Sequence, residues 1–441
     1  MNDRIAELYL THHASLHARH AEALTTTEYD WLIVYSGKSH PVFLDDSFCP
    51  FRANPHFKTW VPLPDHQGGA IVVGRSDTPR LVYLQPEDYW HSPPADPEGY
   101  WPAQFDLRIA RSEQQVRDAL SDLPGRVALI ADHTVPADIA SLGELNPPAL
   151  INLLHFARAT KTEYEVECMR RANAIAVQGH RAAEKAFRSG ASEFEIHMDY
   201  CRACGQDPDQ LPYGNIVALN GHGAVLHYCE YQHDHDSPQA FLIDAGAAFN
   251  GYAADITRTY CTADNFFAAL IDSLDRTQQT ICERAKPGVD YVDLHLEANT
   301  LLAAVLIEHG VLGCSAETAV ELGIMATFFP HGLGHYIGAQ VHDVGGHQAT
   351  PEGTQRPPPD DHPFLRLTRT LQPGTVCTIE PGLYFIDMLL QQLRASDAGK
   401  QVAWDRVADF RPFGGARVED DIHITATGHE NLTRAQFAAL Q

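Results

Sequence analysis

Basic residues are what this chain is short of. Its 441 residues carry 32 Lys and Arg against 57 Asp and Glu, a formal net charge of −25. So acidic a surface argues against nucleic acid or an anionic membrane as partner and favours solubility. Long apolar runs are missing as well: no stretch approaches the roughly 20 residues of a transmembrane helix. The opening MNDRIAELYLTHHASLHARH reads as helix, without the apolar centre of a signal peptide. Cysteine is sparse, nine residues scattered along the chain, and an odd number does not make a disulfide framework. Cys201-Arg-Ala-Cys204 has CxxC spacing with His197 one helical turn before it, yet no second pair completes a zinc site, and the segment fits one amphipathic helix. Solenoid-length repeats are absent too. The cytoplasm is the simplest compartment for such a chain.

What remains is ordinary globular material, 44% hydrophobic and 20% charged, and long enough for two or three domains. Residues 1–158 alternate helical and strand-like segments: a helix near 3–25, strands at 31–37, 70–74, 81–84 and 126–131, a helix near 111–121, and a Pro-rich loop at 92–102. They read as an α/β domain. A second domain, 159–441, begins at a strong helix. Thr162 with Glu165 has capping-box spacing, and Gly190 can end that helix; Ser192 with Glu195 repeats the signature and opens another that closes near Gly205. Strands at 215–220 and 241–244 follow, then helices at 264–285 and 291–309. From about 325 the pattern predicts mostly strands and loops, with a Pro-rich surface loop at 351–363. Helices in blocks beside hairpins make this domain α+β.

Chemistry is concentrated in the second domain. In DAGAAFNGYAAD (244–255) two aspartates enclose ten uncharged residues around Asn250-Gly251, a pair that favours the two-residue type I′ hairpin turn. With that turn, Gly246 faces Asp255, and Asp244 lies diagonally across on the same face, with Cβ atoms roughly 7 Å apart. Two such carboxylates repel unless a proton or cation lies between them, or unless the hairpin is simply solvated. HGLGHYIGAQVHDVGG (331–346) places His331, His335 and His342 among glycines unsuited to core packing. Taken singly, each is equally a hydrogen-bonded surface or core residue. Glu380 ends an apolar strand before a Pro-Gly turn. In GGARVEDDIHIT, Arg417, Glu419 and Asp421 share one face of a strand, where Arg417 and Glu419 also fit a surface ion pair. Asp244, Asp255, Glu380, Glu419 and His335 together are a thiolate-free O/N set suited to two cations such as Mn²⁺, Co²⁺ or Zn²⁺. Two such ions can stabilise a tetrahedral intermediate.

In order and context these five residues resemble the metal ligands of the pita-bread metallopeptidases. DAGAAFNGYAADITRTY, PHGLGHYIGAQVHDVGG, LQPGTVCTIEPGLYF and GGARVEDDIHIT carry the resemblance. HPVFLDDSFCPFRANPHFKTW (40–60), LHY (226–228) and HPFLRLTRTLQPG (362–374) are similar to bacterial prolidases, the Xaa-Pro dipeptidases, and to the related organophosphorus acid anhydrolases. The likeness covers nearly the whole chain. It implies a pita-bread second domain holding two metal ions, Mn²⁺ first among them, and cleavage of dipeptides ending in proline. By position, Asp244 would chelate one metal, His335 and Glu380 the other, and Asp255 and Glu419 would bridge both. Glu380 would also serve as general base for an attacking hydroxide. His227, His331 and His342 match histidines that contact substrate, and Arg366 the arginine over the proline carboxylate. Arg417 would support metal or substrate, Tyr213, Tyr291 and Leu365 would be pocket walls, and Asp45 and Trp90 would reach in from the first domain. The resemblance further implies a homodimer and a side activity on organophosphorus esters or fluorides. Its alternatives are an aminopeptidase of P type, acting on longer Xaa-Pro peptides, and an inactive pita-bread binding module. His233 and His235 read as exposed loop residues, and His423 and the DHDSP turn have no functional account.

Overall fold

The computed structural model describes residues 2–234 and 237–440, so His235 lies outside the described residues. The chain divides into two compact units: Met1–Cys168 with Asn250–Tyr252 and Thr350–Thr354, and the remainder. The division falls inside the helix Glu163–Arg188. Among the described residues no helix is long and apolar enough to cross a membrane.

The first unit is built on a six-stranded mixed sheet. Its strand Trp31–Tyr35 pairs antiparallel with Ala70–Gly74 on one side and parallel with Val127–Ile130 on the other. These strands are continuous apolar runs because both faces of the sheet are covered. Ile33, Val72, Val82 and Leu129 share one core with Val116 and Leu120 of the helix Glu113–Ser121. A segment left unassigned by sequence pattern, Pro148–Arg158, is also helical.

Both expected capping boxes form, the first just before the division and the second beyond it. Glu165 Oε2 accepts from the Thr162 N–H at 2.8 Å, and Ser192 with Glu195 caps the helix Glu193–Cys204, which ends at a left-handed Gly205. Two antiparallel strand pairs then deliver the chemistry. In the first, Ala240–Asp244 lies between Ile216–Leu219 and Thr257–Cys261, with Asp244 opposite Thr257. The same register runs on to the turn, where Ala254 N–H donates to the Ala247 carbonyl at 2.9 Å. Asn250 and Gly251 both have positive φ, 51° and 83°, as a type I′ turn requires. The hairpin therefore has the register its sequence specifies.

In the second pair, Val376–Ile379 meets Asp420–Ile424, and Gly382–Tyr384 meets Gly415–Arg417. Both ladders have one register, so Glu380 lies opposite Glu419 in the gap between them. Pro381 cannot donate to a ladder, and the gap opens there. Glu380 N–H donates instead to the Leu333 carbonyl at 2.8 Å, and Glu419 N–H to that of Thr257 at 3.0 Å. The segment after 325 departs from the expected strands and loops, because Asp387–Ala395, Trp404–Phe410 and Leu432–Ala439 are helices. Each is about two turns long, and its few buried contacts, such as Leu390 and Leu393, give too short a period to read.

Gly246 sits where the first hairpin is tightest. A Cβ there would lie 2.1 Å from the Ala254 carbonyl oxygen and 2.8 Å from the Tyr213 ring. Gly246→Ala should therefore lower unfolding free energy by about 1–3 kcal/mol, read by urea denaturation; an unchanged midpoint would mean the hairpin relaxes freely.

Candidate metal centre

The two strand pairs and the Gly-rich segment converge on one buried cluster. Asp255 Oδ2 and His335 Nε2 are 3.5 Å apart, and Glu380 Oε1 is 3.8 Å from the same nitrogen. One ligand atom each from Asp255, His335 and Glu419 lies within 4.8 Å of the other two. Among the described residues this is the one group of three or more His, Cys, Asp or Glu so placed. Asp244 and Glu380 flank it. The Tyr213 hydroxyl joins the two aspartates, 2.8 Å from Asp244 Oδ1 and 2.6 Å from Asp255 Oδ1. Glu419 accepts from Thr257 Oγ1 at 2.8 Å, and Arg417 donates to that same Thr257 hydroxyl at 3.0 Å and to Asp244 Oδ2 at 2.6 Å.

Charge is badly balanced here. Four carboxylates face one guanidinium and one imidazole. Burial, with the neighbouring acids, raises Asp244 and lifts Glu419 far above its ordinary range. Burial raises Glu380 to about 7 against the pull of His335 and Arg417. Burial would lower His335, but Asp255 and Glu380 outweigh it and push the imidazole up to about 9. The same contact holds Asp255 low despite its burial. Divalent metal is what this donor set lacks, and its oxygen and imidazole groups suit hard or borderline ions. His335 is also in the right tautomer: Nδ1 donates to the Tyr336 carbonyl at 3.0 Å, which leaves Nε2 toward the acids.

The remaining expected residues divide by location. His331 borders Glu380, with Nδ1 3.7 Å from Oε2. Burial and then the Arg417 charge hold His331 down to about 3. Burial and the adjacent His335 hold His342 to about 4, and Arg366 and His227 add to the effect. His227, His342 and Arg366 are exposed and Leu365 is buried; the His342 ring lies 4.4 Å from that of His335, centroid to centroid. The Phe364–Arg366 backbone lies against Gly332 and Gly346, where any Cβ would collide with it. Tyr291 is fully buried, and its hydroxyl donates to the Thr378 carbonyl at 2.7 Å, so it braces the strand behind His335. Asp45 and Trp90 lie on exposed loops of the first unit. In the CxxC, Cys201 faces His197 of its own helix at 3.8 Å, whereas the Cys204 thiol donates to the Ile175 carbonyl of the preceding helix at 3.6 Å and is raised by burial to about 12.

Tyr384 was not anticipated. Arg417 Nη1 donates to its hydroxyl at 2.7 Å, and the hydroxyl in turn lies 2.9 Å from His331 Nε2. His331 Nδ1 then donates to the Gly332 carbonyl at 2.8 Å, which completes a relay with one direction. Its only sequence signal is alternation, since Gly382 and Tyr384 share a strand face after Glu380.

This fold and site define a metallopeptidase class. Residues 167–426 match the model of metallopeptidase family M24, more than half the chain, and the chain belongs to that family. Residues 7–156 match a model described as the N-terminal domain of Xaa-Pro dipeptidase. The chain is 47% identical over 434 residues to an Xaa-Pro dipeptidase of Stenotrophomonas maltophilia, covering 98% of each. It is 44% identical over 433 residues to one of Shewanella oneidensis, covering 98% of this chain and 99% of that one. It thus falls among the bacterial Xaa-Pro dipeptidases of the family. Escherichia coli aminopeptidase P in complex with substrate superposes with a TM-score of 0.73, 22% identical, over 98% of this chain and 95% of the other. Proline aminopeptidase P II from Yersinia pestis gives 0.70 at 23%, over 98% and 96%. At such identity these two show the fold.

Glu380, Glu419 and His335 would each shed a proton on holding a metal, so protons compete with metal at this site. Affinity for Mn²⁺ should rise as pH goes from 6 to 9, by up to about tenfold per unit for each proton released. Titration calorimetry in buffers of different ionisation enthalpy checks this: binding without proton release would contradict the assigned protonation states.

Proposed function

We propose that this protein hydrolyses the peptide bond before the C-terminal proline of Xaa-Pro dipeptides, with two divalent cations, Mn²⁺ first among them, held by Asp244, Asp255, His335, Glu380 and Glu419. The observation that carries the reading is the buried four-carboxylate cluster around one imidazole, short of positive charge, in a chain of this family. When bound, such cations acidify water and polarise the scissile carbonyl.

The protein's own groups supply the rest. Glu380 takes the proton of the attacking water and passes it to the leaving nitrogen. His342 and His227, exposed at the site and neutral in the case of His342, donate hydrogen bonds to the developing oxyanion. His331 has both nitrogens engaged and holds the Glu380 side of the site in place. Arg417 neutralises Asp244, and Tyr213 ties that residue to Asp255. Arg366, beside His342, clamps the free carboxylate of proline, and Leu365 backs the ring. The same groups would attack organophosphorus esters or fluorides as a side activity. Asp45 and Trp90 would join the pocket through a homodimer, and the protein would work in the cytoplasm.

Chelated protein re-supplied with Mn²⁺, Co²⁺ or Zn²⁺ should cleave Gly-Pro and leave Gly-Pro-containing tripeptides uncut; the reverse preference would make it an aminopeptidase of P type. Glu380→Gln should abolish dipeptide and phosphorofluoridate turnover together, and loss of one alone would exclude a shared mechanism. Arg366→Ala should raise KM for Gly-Pro by an amount matching about 2 kcal/mol, the scale of a charge-assisted bond, with metal content unchanged. An unaltered KM would remove the clamp.

A further inference from the structure

One buried carboxylate in the second unit has no part in the metal centre. Glu193 is 1% exposed, in the first turn of the helix Glu193–Cys204, where a helix N-terminus favours negative charge. Oε1 accepts from the Leu219 N–H at 2.9 Å and lies 2.7 Å from His222 Nδ1. Oε2 accepts from the Tyr228 hydroxyl at 2.7 Å and the Gln232 N–H at 3.1 Å. No partner comes from its own helix. All four belong to residues 219–232, at the start of the connection between Ile216–Leu219 and Ala240–Asp244.

That connection is longer than most, and its only regular element among the described residues is the short 3₁₀ turn Asn220–Ala224. Glu193 supplies the order that secondary structure does not. The His222 ring also stacks on Tyr228 with centroids 4.6 Å apart, and Phe194 N–H donates to the Gln232 carbonyl at 3.2 Å. At the far end Asn220 Oδ1 accepts from Gln239 and Ala240 N–H, at 2.7 and 3.1 Å. His227 sits inside this clasp, next to Tyr228. Its ring is exposed and has no hydrogen-bond partner among the described residues, so its place is set by the backbone that Glu193 holds.

We propose that Glu193 is a positioning residue for the reaction: by gathering four donors of the 219–232 segment it fixes the loop that presents His227 to the bound dipeptide. This rests on the reading of His227 as a group that contacts substrate. A carboxylate that merely stabilised the fold would lower unfolding temperature without being coupled to His227.

The test uses the Mn²⁺-loaded full chain with Glu193→Gln, His227→Ala and the double variant, plus Tyr228→Phe, which keeps three of the four contacts if Glu193→Gln folds poorly. Gly-Pro kinetics, metal content and the alkylation rate of the exposed Cys229, two residues from His227, are followed, the last by peptide mass mapping. Glu193→Gln should lower kcat/KM by roughly 10- to 100-fold, the cost of a small misplacement, at unchanged metal content. Cys229 should react several times faster, and the double variant should be no slower than His227→Ala alone. Tyr228→Phe should move the same way by less. Losses that multiply in the double variant, or an unchanged Cys229 rate, would overturn the proposal. Full turnover by His227→Ala would overturn both it and the role of His227, and the Cys229 rate separates the two cases because it reads the loop without catalysis.

Discussion

Asp244, Asp255, Glu380 and Glu419 repel one another in a space that water barely reaches, and the second unit is arranged around that repulsion. Arg417 offsets part of it at Asp244, His335 part at Asp255, and a single Tyr213 hydroxyl is set between the two aspartates. The remainder is left uncompensated by protein groups. The acid next to Glu419 is treated differently. Asp420, next to Glu419, is buried completely, yet Arg258 and Arg434 at 2.6 and 2.7 Å hold it down to about 2 against that burial. Glu419 accepts among the described residues only from a threonine hydroxyl, and is raised far above its range. One acid of the pair is matched within the protein, and the other awaits a cation.

Backbone economy explains how four acids reach one place. Two antiparallel pairs each contribute two: Asp244 and Asp255 flank a tight hairpin, and Glu380 and Glu419 face each other across the gap at Pro381. Thr257 links the pairs, since its carbonyl accepts from Glu419 N–H and its hydroxyl touches Glu419 and Arg417. The four acids thus sit on or at the ends of paired strands, while His227, His335, His342 and Arg366 lie on loops.

Legibility followed the range of the interaction that fixed each element. Caps at Thr162 and Ser192 and the Asn250-Gly251 turn depend on residues a few positions apart, and all were readable. The long helices repeat their apolar face often enough to be recognised, but the two-turn helices after Asp387 do not. Tyr384 carried only strand alternation, and Thr257 and Glu193 carried no local signal. Tyr384 acquires its relay only because Arg417 and His331 come from elsewhere in the chain, and Glu193 acquires its role only from four donors in residues 219–232.

The sequence by itself determined which acids could meet on the first hairpin, because a type I′ turn and a two-residue side-chain period leave one register. It also determined the chemical character of the site, since oxygen and imidazole donors without thiolates select the ion class. Tertiary structure alone decided that Glu380 stands opposite Glu419, that His335 enters their gap, and that one guanidinium serves where four carboxylates gather. Those outcomes depend on contacts between distant segments, such as Arg417 with Asp244, 173 residues apart, which no local pattern encodes.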